Sequence, residues 1–227
     1  MKLRGYQEEV LNKIVNKYNS GVKNQLIKMS TGLGKSVLFA NLKNHTGWAG
    51  KVLVIVHREE LAQQAKEKIE HWNPNSICMI EMGNRSALVG MCDFVVGSVQ
   101  TLVNRLNKFD PKDFCAVVVD EAHHATAPSY KKVLEYFRNG NLSSLRLGVT
   151  ATPNRADGEG LGGLFDEIVE DYGIDRGTED GWLVPLIGQQ IRTTTNLDNV
   201  HTRYGDFNVK ELDAVADTPT RNLEKVS

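Results

Sequence analysis

The chain has 227 residues, a net charge of −1 and 41% hydrophobic residues. That length suits one large domain, or one domain with an appendage, and it is enough to bury a sizeable core. The near-balanced charge excludes a global basic field, so any nucleic-acid partner must be held by a local patch. The three cysteines (Cys78, Cys92 and Cys115) are scattered and form no C-x-x-C pair, so neither a disulfide framework nor a zinc site is indicated. Two of them lie in or beside apolar strand-like runs, where reduced, buried thiols are expected. The first residues carry no apolar signal region, and no apolar run approaches a membrane span. The expectation is an intracellular, soluble protein, cytoplasmic or nucleoid-associated, with no membrane partner.

Taken in order, Tyr6 to Tyr18 reads as a helix, with Val10, Leu11, Ile14 and Val15 on one face and Asn19-Ser20-Gly21 ending it. A short apolar strand, Gln25 to Lys28, leads into Met29-Ser30-Thr31-Gly32-Leu33-Gly34-Lys35-Ser36, and an apolar helical pattern from Val37 to Leu42 leads out. Val52 to Val56 is a continuous β-branched run of the kind covered on both faces in a parallel sheet. Arg58 to Trp72 follows as a helix, broken by Asn73-Pro74-Asn75. Further strands are expected at Ile77 to Ile80, Phe94 to Val99, Ala116 to Val119 and Leu145 to Val149, with helices at Gln100 to Leu106 and Tyr130 to Phe137. Six alternations of strand and helix make a doubly wound parallel α/β sheet the economical fold.

Beyond Thr152-Pro153 the pattern is less regular. Asp157 to Gly163 reads as a glycine-rich, acidic loop. A strand at Ile168 to Ile174, a short helix at Asp175 to Leu183 and a strand at Ile187 to Thr193 follow. From Thr194 the chain turns polar, with a weak helix near Val209 to Val215 and a linker-like Asp217-Thr218-Pro219-Thr220. The expected division is a domain over 1–194 and a polar segment and linker over 195–227.

Two stretches carry chemistry. Strand, glycine-bearing loop, Lys-Ser and helix is the layout of a phosphate-binding P-loop. Gly32 and Gly34 let the backbone close around an anion. The loop N–H groups and the helix N-terminus would face its charge. Lys35 would reach the β- and γ-phosphates and Ser36 would ligate Mg²⁺. Met29 stands where the strict G-x-x-x-x-G-K-[ST] pattern has Gly. The second stretch is Val117-Val118-Val119-Asp120-Glu121. Ligands of open α/β sheets sit beyond the carboxyl ends of the strands. An acidic pair there, with a P-loop at another strand end, fits a Mg²⁺-nucleotide site. Asp120 would hold the cation and Glu121 would polarise the attacking water. An ordinary acidic turn is the alternative for Asp120-Glu121 in isolation. His123 and His124 lack partners at zinc-like spacing.

Several stretches resemble the superfamily 2 helicases and translocases. Ser30 to Ser36, with Thr31 and Leu33 between the glycines and serine, looks like motif I, where Met29 is a tolerated variation. Asp120-Glu121-Ala122-His123 looks like motif II, and Thr150-Ala151-Thr152-Pro153 like motif III. Arg4-Gly5-Tyr6-Gln7 resembles the Q-type motif, Val56 to Gln64 motif Ia, and Gly97 to Leu102 motif Ib or Ic. Arg155 to Leu161, then Phe165-Asp166, is similar to DEAH proteins of the XPB-like and restriction-translocase-like branches.

The resemblance implies a RecA-like lobe that uses ATP and Mg²⁺ and grips nucleic acid, DNA in preference to RNA. It implies that Gln7 reads the adenine edge with Arg4 or Tyr6 against the base, and that Arg58, Gln100 and Thr101 touch a phosphate backbone. His123, Thr150 and Thr152 would couple ATP state to grip. The family's engine needs a second lobe carrying motifs IV to VI and an arginine finger. Nothing after Thr194 resembles those motifs, so a second lobe in cis or in trans is expected, with weak turnover by this chain alone. Two other readings stand beside the motor: a nucleotide-gated binding module that does not hydrolyse ATP itself, and a P-loop ATPase acting on something other than nucleic acid.

Overall fold

A computed structural model describes residues 2–152, 161–185, 202–203 and 206–207. The first compact unit spans Met1–Val184. Its centre is a seven-stranded sheet in the order β3-β4-β2-β5-β6-β1-β7. The strands are β1 (Asn24–Met29), β2 (Lys51–Val56), β3 (Cys78–Glu81), β4 (Phe94–Ser98), β5 (Phe114–Asp120), β6 (Leu145–Thr150) and β7 (Glu167–Tyr172). Every pairing among them is parallel. All seven therefore point their carboxyl ends at one edge of the sheet.

The helices are α1 (Gly5–Asn19), α2 (Lys35–Thr46), α3 (Glu59–Trp72), α4 (Val99–Leu102), α5 (Pro128–Gly140) and α6 (Ile174–Glu179). Side chains alternate along each strand, so the apolar runs feed two cores. Ile27, Val52, Val54, Val118 and Leu147 pack with Leu11 and Ile14 of α1, Leu38 and Phe39 of α2, and Ala65 and Ile69 of α3. Leu26, Leu53, Ile55, Val117 and Val119 pack with Leu102 of α4 and Tyr130, Val133 and Phe137 of α5. This double cover is why β2 and β5 read as continuous apolar stretches.

β7 is exposed on its outer side, and its sequence is correspondingly polar. Ion pairs run along it: Lys13 and Arg176 meet Glu170, Lys17 meets Glu167, and Lys28 meets Asp171. Charges along an edge strand discourage pairing with another chain. The thiols of Cys78 and Cys92 are buried and free, and burial pushes the Cys78 thiol up to about 12.

Three expected elements change. The helix expected over Gln100 to Leu106 is only the four-residue α4, followed by a 3-10 turn at Leu106–Lys108. The side-chain amide of Asn104 donates to the Gln100 carbonyl, and Arg105 turns aside to the Glu81 carboxylate. The helix expected to reach Leu183 stops at Glu179. Gly181 adopts a left-handed φ of 74°, and the N–H groups of Trp182 and Leu183 both donate to the Gly177 carbonyl. The strand expected to reach Ile174 ends at Tyr172, before Gly173. The strand expected at Ile187 to Thr193, the helix near Val209 and the linker near Asp217 lie outside the described residues, as do Arg155 to Gly160 and the boundary expected at 194. A second compact unit spans Pro185–Ser227. Within it, Thr202–Arg203 pairs antiparallel with Asp206–Phe207. No helix among the described residues is long and apolar enough to cross a membrane.

β3 ends in Glu81, whose side chain is fully buried. It accepts hydrogen bonds from Arg105, Lys108 and the Ala87 N–H at 2.5, 2.5 and 2.8 Å. Burial alone would raise its pKa, but those three donors together hold it below the usual carboxylate value.

A depressed folded-state pKa means that Glu81 stabilises the fold above the pKa it has when unfolded, near 4.3. That contribution is lost as pH falls through the lower folded value. Acid titration of the unfolding free energy should therefore decline more steeply below about pH 4 in the wild type than in Glu81→Gln. At pH 7 the same variant should cost about 2 kcal/mol, a buried-pair loss reduced by the partial exposure of both cations. A packing prediction follows from Gly148 in β6, where an added Cβ would lie 2.5 Å from Phe165 Cζ and 2.9 Å from Leu26 Cδ1. Gly148→Val should cost about 3 kcal/mol in urea unfolding.

Candidate nucleotide and nucleic-acid site

The residues singled out in the sequence gather along the carboxyl edge of the sheet. β1 delivers the Ser30–Gly34 loop, β5 delivers Asp120 and Glu121, and β6 delivers Thr150. β2 leads to Arg58, and β4 leads to Gln100 and Thr101. Because β2, β5, β6 and β1 are consecutive neighbours, their loops share one rim. Such a rim is where open α/β sheets bind ligands.

Met29 is the last residue of β1 and is fully buried, paired in register with Tyr172 of β7. The position that departs from the strict pattern thus belongs to the strand and the core, and the turn begins after it. Gly32 and Gly34 have φ of 88° and 81°, left-handed values that permit the turn into α2. The loop is tethered from outside. The Ser30 N–H donates to the Tyr172 carbonyl at 3.1 Å. The Leu33 carbonyl accepts from the Tyr6 hydroxyl at 2.7 Å and from the Gln7 amide at 3.4 Å. Thr31 and Gly32 stay exposed, while Leu33 is buried as the loop's anchor.

Gln7 is 5% exposed. Its carbonyl oxygen accepts from the Arg4 N–H at 3.1 Å, so the amide links the start of α1 to the P-loop. One lone pair and one amide hydrogen remain for an outside partner. Arg4 is exposed; its guanidinium carbon lies 4.8 Å from the Trp182 ring centroid, and one of its nitrogens reaches the Tyr6 hydroxyl at 3.4 Å.

Lys35 opens α2 and extends to within 3.7 Å of Glu121 Oε1, with its side chain 10% exposed. Glu121 is the one non-glycine residue with positive φ among the described residues, at 51°. A non-glycine residue in that region stores strain of about 1–3 kcal/mol, and such residues cluster at functional sites. The turn lets Glu121 meet both Lys35 and His123, whose Nδ1 lies 3.4 Å from Oε2. His123 Nδ1 also lies 3.1 Å from Thr150 Oγ1. The Thr150 hydroxyl in turn donates to the Thr152 carbonyl at 3.0 Å and accepts from its N–H. The acidic turn and the Thr-Ala-Thr segment are therefore joined through one imidazole.

Asp120 has its carboxyl pKa raised to about 6, first by burial and then by the neighbouring Glu121 charge. The Glu121 N–H, at 3.0 Å, and Lys35 offset this only in part. Two adjacent, half-buried carboxylates with one lysine beside them are the electrostatic complement of a divalent cation. The donor set also fits: Ser36 and Asp120 line one groove of about 530 Å³, walled by Phe39 of α2 and by Leu61, Gln64 and Lys68 of α3. Oxygen donors of this hardness suit Mg²⁺.

The outer track is more uneven. Arg58, the residue before α3, and Gln100 are exposed. Thr101 is half-buried and its hydroxyl oxygen already accepts from the Ser98 hydroxyl at 2.9 Å and the Gly83 N–H at 3.1 Å, which leaves only its own proton to donate outward. The sequence reading gave no role to three residues at this rim. His57, beside Arg58, lies 4.6 Å ring to ring from His124, which itself lies 4.1 Å from His123. Leu183 closes over the P-loop, where an added Cβ on Gly32 would lie 3.2 Å from its Cδ2, and Trp182 beside it meets Tyr6 and Arg4. A residue some 150 positions away carries no local signal of such a contact, and only the reversal at Gly181 reveals it.

Residues 1–155 match the family described as "Type III restriction enzyme, res subunit". The chain is 33% identical over 230 residues to IRC3 of Saccharomyces cerevisiae, whose name assigns it to the ATP-dependent helicases; the match covers 97% of this chain and 33% of that one. The chain thus spans about a third of the length of the relatives it matches. Among solved structures, the Hef helicase domain of Pyrococcus furiosus superposes with a TM-score of 0.64 at 25% identity, covering 75% of this chain and 38% of that one. The Type ISP restriction-modification enzyme LlaGI, solved with a DNA substrate mimic, shares the fold with a TM-score of 0.59 at 19% identity, over 80% of this chain and 21% of that one. The parallel seven-stranded sheet, the tethered glycine loop and these similarities agree: the chain belongs to the type III restriction enzyme res-subunit family and carries the first RecA-like lobe of the superfamily 2 helicases.

Proposed function

We propose that this chain is the ATP-binding lobe of a nucleic-acid helicase or translocase, with DNA as its track, and that it works with a second RecA-like lobe in cis or in trans. The observation that carries this reading is the contact between Lys35 and Glu121, 3.7 Å apart, at the carboxyl ends of β1 and β5. Phosphoryl transfer needs a cation at the phosphates and a carboxylate at the attacking water on one rim, and this contact brings the two side chains together there.

In this reading the N–H groups of Thr31, Gly32 and Gly34 and the Lys35 ammonium bind the triphosphate, the Ser30 and Leu33 N–H groups being spent on Tyr172 and Ser30. Ser36 and Asp120 would hold Mg²⁺, which would supply positive charge to the transferring phosphoryl group. Glu121 orients a water and takes its proton. Lys35 neutralises Glu121 until phosphate competes for the ammonium, and Glu121 is then released toward water. His123 relays that change to Thr150 and Thr152. Gln7 and Arg4 hold the base. Arg58, Gln100 and the Thr101 proton contact backbone phosphates, which positions a strand without reading its sequence. The solved neighbour that carries a DNA mimic supports DNA over RNA.

The deciding experiment is ATP turnover by the chain with and without single- and double-stranded DNA and RNA, beside Lys35→Ala. DNA stimulation that is lost in the variant supports the proposal. Nucleotide binding that does not depend on Lys35 contradicts it. Glu121→Gln should keep ADP affinity within about threefold while turnover falls by about 10²-fold or more, read in a single-turnover assay. Gly34→Ala must place a Cβ 2.8 Å from Gln7 Nε2 at a φ of 81°. It should weaken ADP binding about tenfold or more and lower stability by about 1–2 kcal/mol, measured by calorimetry and thermal unfolding.

A further inference from the structure

α6 is followed by a sharp reversal that the nucleotide chemistry described above does not use. Gly181 turns left-handed, and the Gly177 carbonyl gathers the N–H groups of Trp182 and Leu183 at 2.8 and 2.9 Å. The reversal sends residues 182–183 back across the P-loop. Leu183 is wedged there: an added Cβ would lie 3.2 Å from its Cδ2 at Gly32, and 2.8 Å from its Cδ1 at Gly177. The same reversal fixes the Trp182 backbone through its N–H.

The Trp182 ring stands 5.3 Å from the Tyr6 ring and under the Arg4 guanidinium, whose carbon is 4.8 Å from the indole centroid. Tyr6 is itself held by Tyr172 at 4.9 Å and by its hydrogen bond to the Leu33 carbonyl. Trp182 nevertheless remains 41% exposed, and Arg4 is exposed too. A buried tryptophan contributing only to the core would not leave a flank open beside an exposed arginine. A guanidinium is planar and stacks on π-systems through either face. With one face on Trp182, the other is free for a second ring, and Gln7 stands one helical turn away with unused donor and acceptor capacity.

We propose that Trp182 is a positioning residue of the base subsite: it holds the Arg4 guanidinium flat so that a nucleobase stacks on the opposite face with its edge toward Gln7. The inference rests on the P-loop reading of Lys35 and adds a base-recognition element supplied from the far side of β7. An unsupported arginine loses rotamer freedom when a base binds. The indole removes much of that loss beforehand, so its effect falls on base-containing ligands alone.

The test uses the 227-residue chain and two probes, ADP and inorganic tripolyphosphate, with binding measured by calorimetry. Trp182→Ala should weaken ADP about tenfold and leave tripolyphosphate within about twofold. Trp182→Phe should restore most of the ADP affinity. Arg4→Ala should weaken ADP by a similar factor, and the double variant with Trp182→Ala should be no weaker than either single, because the two act as one unit. Equal weakening of both ligands would assign Trp182 to loop architecture and overturn the proposal. So would an unchanged ADP affinity, or additive losses in the double variant. If the wild type binds both probes without dependence on Lys35, the P-loop reading itself fails and the base-subsite proposal falls with it. Lys35-dependent binding of both probes with no Trp182 effect sinks the base subsite alone.

Discussion

The hydrogen bond from the Tyr6 hydroxyl to the Leu33 carbonyl, 2.7 Å long, holds the centre of the P-loop to the first helix of the chain. A loop whose N–H groups must face an anion has its carbonyls turned the other way, and those carbonyls need donors. Tyr6 and Gln7 supply them for Leu33. Tyr172 supplies the acceptor for the Ser30 N–H. The loop is therefore fixed at both ends by groups that leave its anion-facing side unencumbered. The rest of the site is arranged around that fixed loop: Lys35 starts α2 directly behind it, and Glu121 faces Lys35 from the next strand but one.

A second constraint is electrostatic. Asp120 and Glu121 are adjacent and half-buried, with one lysine 3.7 Å and one imidazole nitrogen 3.4 Å from the Glu121 carboxylate. Burial first, and then the Glu121 charge, raise the Asp120 pKa to about 6. Strain in Glu121 is tolerated because the carboxylate it directs is held on two sides. The arrangement has a direct consequence for coupling. In the proposed reading, a ligand that competed for Lys35 would alter Glu121 and, through His123, the hydroxyl of Thr150, which is bonded twice to the Thr152 backbone.

At the opposite end of the sheet the β3 edge is organised by a buried carboxylate. Glu81 draws Arg105 and Lys108 together, and Arg105 continues to the Gly83 carbonyl at 2.7 Å. Thr101 closes the same turn through the Gly83 N–H. The turn at Gly83–Arg85 and the short α4 are thus a single braced unit. This is why Thr101, which resembles a track residue in sequence, spends most of its hydrogen-bonding capacity inside the protein.

The sequence by itself determined the alternation of strands and helices, because strands covered on both faces must be apolar throughout and amphipathic helices must repeat near 3.6 residues. It also marked the loop at Gly32 and Gly34 and the acidic pair at Asp120-Glu121, since positive φ and strand-end carboxylates are local requirements. Tertiary structure alone decided what those residues touch. Met29 looked like a departure from the loop pattern, but its side chain belongs to the core because β1 runs one residue further than its apolar run. The helix expected after β4 is cut short by a charge on a strand 24 residues earlier, Glu81, which captures Arg105. Trp182 reached Arg4 only because Gly181 reverses the chain. Contacts of that kind join residues far apart along the chain, where periodicity and composition carry no information about which partner is met.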